Sequence, residues 1–99
     1  MKNKKIITKP VANEYSYEQI ELGKTFEFEK QITKEDVMKF AELTGDYNPL
    51  HTDQSYAEKT DFKGAIVHGM LAASLFSTLV GMHCPGKKNL YLSQSLNFK

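Results

Sequence analysis

The chain has 99 residues, 40% of them hydrophobic and 25% charged, which allows one packed domain and leaves no room for a second. Its 13 Lys/Arg against 12 Asp/Glu give a formal charge of +1, which argues against a dominant electrostatic attraction to nucleic acid or an anionic membrane. Cys84 is the sole cysteine, and no apolar run reaches the roughly 20 residues of a membrane-spanning helix, so a soluble protein of a reducing cytoplasm is expected.

Residues 1–16 are polar and without a clear period, as in a loosely held N-terminal arm, with the domain proper spanning 17–99. Ile6-Ile7 behind Lys2, Lys4 and Lys5 is too short for a signal-peptide core. Residues 17–23 suit a short turn that ends at Gly23. In residues 25–32, Phe26, Phe28 and Ile32 alternate with charged residues, the mark of a half-buried strand. Thr33 then caps a helix. Its hydroxyl suits the amide of Asp36, whose carboxylate can answer the Thr33 amide. Val37, Phe40, Ala41 and Thr44 fall on one face of that helix.

Gly45, a residue that can take the left-handed conformation, is expected to stop the helix, and Pro49 to keep it from resuming. Asp46 and His51 then stand at the two ends of a tight, non-helical turn, a carboxylate and an imidazole aimed at one point. Asp53 caps a short helix over residues 54–59, and 60–64 form a loop. Residues 67–82 are apolar almost all the way round, so a helix buried on every side is expected until Cys84-Pro85-Gly86 turns the chain. Leu90, Leu92, Leu96 and Phe98 suggest a second strand over 90–98. Two strands are too few to wrap such a helix.

The string Gly45-Asp46-x-Asn48-Pro49-x-His51, with Phe40 before it and Ala57 after it, resembles the hydratase motif of the MaoC-like, (R)-specific enoyl-CoA hydratase family. A second stretch, Ile66-Val67-His68-Gly69-Met70-Leu71, is similar to that family at the expected distance downstream. The resemblance implies an α+β hotdog fold, an antiparallel sheet around a central buried helix, here lacking its C-terminal strands. It implies Asp46 and His51 as the catalytic pair and Ser77 as a support for the aspartate. It also implies a homodimer acting on an acyl-CoA thioester, or on the same acyl group on acyl carrier protein, with no cofactor and no metal.

The residues suit that chemistry. Hydrating an enoyl thioester needs a base for water, a proton for the α carbon and a donor for the thioester oxygen. Asp46 and His51 meet the first two needs in either order. Gly69 stands where the long helix should begin, and its bare N–H suits an oxyanion, although close packing also asks for glycine. Asn48 shapes the turn. His68 suits a buried, hydrogen-bonded histidine better than a substrate contact. A Cys84 nucleophile would instead make a thioesterase, but Cys84 lies in a turn far along the chain from the motif. The expected activity is addition of water to trans-2-enoyl-CoA to give (R)-3-hydroxyacyl-CoA. The alternatives are 3-hydroxyacyl dehydration and a non-catalytic hotdog piece that pairs with a partner subunit.

Overall fold

The computed structural model describes residues 10–99; the first nine residues of the expected arm lie outside them. Those residues form two compact units, 10–27 with Ser77–Leu92, and Phe28–Phe76 with Ser93–Lys99.

The second unit holds the helices of the motif. Helix α1 runs Lys34–Thr44 and opens with the expected reciprocal cap: Thr33 Oγ1 accepts from the Asp36 amide at 3.2 Å, and Asp36 Oδ2 accepts from the Thr33 amide at 2.9 Å. It closes at Gly45, at φ +82°, where the Gly45 amide reaches the Ala41 carbonyl. Val37 and Ala41 are buried, and Phe40 half-buried, on its inner face. Thr44 departs from the expected stripe. It is exposed, because its hydroxyl donates to the Phe40 carbonyl at 2.8 Å and accepts from the Asp46 amide at 3.2 Å.

The expected non-helical turn is shorter than the motif suggested. A helical turn, α2, resumes at once over Pro49–Thr52. Asn48 caps it by accepting from the Leu50 amide at 3.0 Å, and Pro49 occupies the first position, where a missing N–H costs nothing. Helix α3, Gln54–Glu58, begins at Asp53, whose carboxylate accepts from the Tyr56 amide at 3.1 Å. Ala57 is fully buried.

Helix α4, Gly69–Thr78, continues into a π-helical turn over Leu79–His83. No residue of α4 is buried, and Met70 and Phe76 are 59% and 50% exposed. The expectation of a helix covered on all sides is therefore not met among the described residues. Both expected strands are also absent. Residues 25–32 and 90–98 carry no strand pairing, although Phe26, Phe28 and Ile32 are half-buried as the alternation implied. A strand is defined by a neighbouring chain that takes its N–H and C=O groups, and alternation by itself supplies none.

In the first unit, Glu14 pairs with Gly86 in an isolated antiparallel bridge. Asn13 donates to the Met82 carbonyl at 2.9 Å and accepts from the Lys87 amide at 2.7 Å. Gly86, at φ +84°, leaves no room for a side chain beside the Asn13 carbonyl. Tyr15 meets the edge of Phe26 at 5.9 Å, and Lys88 pairs with Glu14 at 3.4 Å. No helix among the described residues is long and apolar enough to cross a membrane.

Candidate active site

Asp46 follows the helix stop directly, and its carboxylate is spent locally on one side only. Oδ1 accepts from the Asn48 amide at 3.1 Å, an Asx turn that holds residues 46–48 in a tight bend. Asp46 is exposed, and its second oxygen has no hydrogen bond among the described residues. Thr52 Oγ1 ties the bend from the other side by donating to the Tyr47 carbonyl at 3.1 Å.

His51 lies inside α2, half-buried, with its Nδ1 at 2.8 Å from the Ile66 carbonyl. A carbonyl only accepts, so the proton sits on Nδ1 and the neutral ring presents Nε2 as a lone pair. The Ile66 amide in turn donates to the Leu50 carbonyl at 3.1 Å, so one residue grips α2 through both of its backbone groups. Gln54 holds that strip of chain in place. Its Oε1 accepts from the Ala65 amide at 3.0 Å, and its Nε2 reaches Glu58 at 3.2 Å.

His68, 2% exposed, completes the cluster. Its Nε2 is 3.0 Å from the Asp46 carbonyl, and its ring stacks on His51 at 4.0 Å with 29° between the planes. The stretch 66–69 thus runs beside the motif, with Ile66 holding His51 and His68 holding Asp46. Ile66 is the residue that the chemistry of side chains could not single out, because it acts through its backbone. The one sign of it in the sequence was its place in the second motif stretch.

Asp46, His51 and His68 each bring a possible metal-binding atom within 4.8 Å of the others. The stacked imidazoles argue against a shared ion. The two rings stack at 4.0 Å with 29° between their planes, whereas the ligands of one ion direct their in-plane lone pairs at a common point.

Gly69 begins α4, where the first amides lack intrahelical acceptors. A Cβ there would stand 2.9 Å from Cδ1 and Cε1 of Phe98, so packing against that ring also favours glycine. Ser77 stands near the end of α4 in the first unit, and its hydroxyl makes no hydrogen bond among the described residues. Beside His51, a cleft of about 240 Å³ is lined by Ile32, Val37, Ile66 and Val67 with Thr33 and Gln54 at its polar side.

The family described as the MaoC like domain matches residues 18–98. The chain is 48% identical over 84 residues to the (R)-specific enoyl-CoA hydratase of Aeromonas caviae, covering 85% of this chain and 63% of that protein. It is 42% identical to the 3-hydroxybutyryl-CoA dehydratase of Methylorubrum extorquens over 84% of this chain and 53% of that protein. Among solved structures, the unliganded R-hydratase PhaJ1 of Pseudomonas aeruginosa superposes with a TM-score of 0.80 at 40% identity, over 84% of this chain and 54% of that one. The chain thus spans from about half to five-eighths of the length of these relatives, and it carries part of the hotdog fold. Matched by family over residues 18–98 and by fold over 84% of its length, the chain belongs to the MaoC-like domain family.

Proposed function

We propose that the protein adds water to trans-2-enoyl-CoA and forms (R)-3-hydroxyacyl-CoA, with Asp46 and His51 as the reacting pair. The observation that carries this reading is that both residues are anchored through one atom and left open at another. His51 is held at Nδ1 by Ile66, leaving Nε2 as a lone pair, and Asp46 is held at Oδ1 by Asn48. A water between the open atoms gives its proton to His51 Nε2 while the Asp46 carboxylate accepts its second hydrogen and orients it. The hydroxide adds to C3 of the enoyl group, and the proton on His51 passes to C2. Charge that gathers on the thioester oxygen in between is met by the Gly69 N–H at the positive end of α4. Asn48 caps α2 and so sets the position of His51.

The reverse reaction, dehydration of a 3-hydroxyacyl thioester on CoA or acyl carrier protein, uses the same atoms. The likeness to the Methylorubrum extorquens dehydratase favours keeping it as the second reading. The proposal includes a cytoplasmic homodimer that serves fatty-acid metabolism, without cofactor or metal.

The test is to replace the matched 84 residues of the Aeromonas caviae hydratase with those of this chain and follow hydration of crotonyl-CoA. The expected result is an active chimera in which Asp46→Asn and His51→Ala each lower turnover at least ~10²-fold. A folded chimera without hydration, or near-normal turnover in either folded variant, overturns the assignment.

A further inference from the structure

His68 is the one buried polar side chain among the described residues, and the chemistry above makes no use of it. Its Nε2 faces the Asp46 carbonyl, which only accepts, so Nε2 carries the proton. In the neutral ring Nδ1 is then a bare acceptor, and Nδ1 is buried with no hydrogen-bond partner. An unpaired buried acceptor is unfavourable, and a phenyl ring would fill the same space without one. Filling space therefore does not account for an imidazole at this position.

Its contacts do. The bond to Asp46 spans 22 residues and ties the start of α4 to the bend that carries the carboxylate. The ring lies flat against His51, and Phe40 of α1 packs on it at 4.8 Å with the planes tilted by 58°. We propose that His68 is a positioning residue that sets Asp46 and His51 together, its Nε2–H holding the Asp46 carbonyl and its ring backing the His51 imidazole. Both partners are held through parts that do not react, so the Asp46 carboxylate and His51 Nε2 stay open to substrate. The role given to the pair rests on the hydratase reading, whereas the bond and the stacking do not. A shift of either reacting atom by about 1 Å can lower turnover ~10²-fold, which is what such a brace prevents.

Two variants separate the parts of the brace. His68→Gln keeps a donor for the Asp46 carbonyl, and His68→Phe keeps a ring but loses the donor. On the chain labelled with ¹⁵N, the expected result is a proton on Nδ1 of His51 and on Nε2 of His68, each as a distinct tautomer. Amide exchange at Asn48, which reports on the Asp46 bend, should rise at least ~10-fold in His68→Phe and stay within ~3-fold in His68→Gln. In the chimera, His68→Phe should lower kcat about 10–100-fold with KM within ~3-fold, and His68→Gln should restore most of it. Averaged tautomers in the wild-type chain, unchanged Asn48 exchange in His68→Phe, or equal behaviour of the two variants overturns the proposal. Should His68→Phe fail to fold, a wild-type Asn48 rate in His68→Gln supports it and a raised one overturns it. Absence of hydration in a folded chimera sinks the hydratase reading instead and leaves the tautomers and exchange rates to decide this one.

Discussion

His51 is held by Ile66: the imidazole Nδ1–H meets the Ile66 carbonyl at 2.8 Å, while the Ile66 amide meets the carbonyl of Leu50, the residue before His51. The pair of bonds fixes both the tautomer of the imidazole and the place of the helical turn that carries it. Gln54 is the prop behind this arrangement, through its bond to the Ala65 amide. Gln54→Ala should therefore destabilise the chain by about 1 kcal/mol. Denaturant titration measures that loss, and crotonyl-CoA hydration in the chimera should fall with it. Unchanged stability would remove Gln54 from the account.

Two readings meet at Gly69, the proposed oxyanion N–H and the observed packing of Phe98. The Phe98 side chain is 61% exposed, so its ring has space to swing aside when a Cβ arrives. Gly69→Val should then lower stability by less than the ~1–3 kcal/mol of a closed core. Turnover of the chimera should fall strongly, and adding Phe98→Ala should restore stability without restoring turnover. Recovery of turnover in the double variant would assign Gly69 to packing alone.

The cap at the start of α1 predicts a pH dependence. The Asp36 carboxyl is held below the usual carboxylate range, first by its bond to the Thr33 amide and then by the Thr33 hydroxyl. Because the folded value lies below the unfolded one, this stabilisation is full above about pH 4 and is lost as pH falls through the folded value. The helical circular dichroism signal should drop on acidification, and less so in Asp36→Asn. Identical acid limbs in the two proteins would count against the cap. Thr33→Ala should cost about 1 kcal/mol at neutral pH.

Between α1 and α4 an apolar groove of about 370 Å³ is lined by Ile32, Phe40, Leu43, Leu71 and Leu75, and Leu43 is 84% exposed. Open apolar surface of this kind draws other molecules in. The purified chain should self-associate with rising concentration in light scattering, and Leu43→Lys should weaken that association. A monomer at every concentration would show that the groove is closed in solution.

What the sequence determined by itself is local. The caps at Thr33 and Asp53, the stop at Gly45 and the bend at Asp46 each depend on residues within a few positions of one another, and such bonds form wherever the chain folds. Helix α2 was equally local, yet Pro49 looked like a breaker because its role as a first helical residue depends on Asn48 acting as cap. The motif by itself marked Asp46 and His51 as candidates, the two residues proposed above as the reacting pair. The tertiary structure alone decided which nitrogen of His51 carries the proton, that His68 is buried against it, and that Phe98 shares the space at Gly69. It also decided that residues 25–32 and 90–98 form no strand. Those outcomes depend on partners 15 to 29 residues away or on a neighbouring strand, and no local pattern of side chains specifies a partner at that distance.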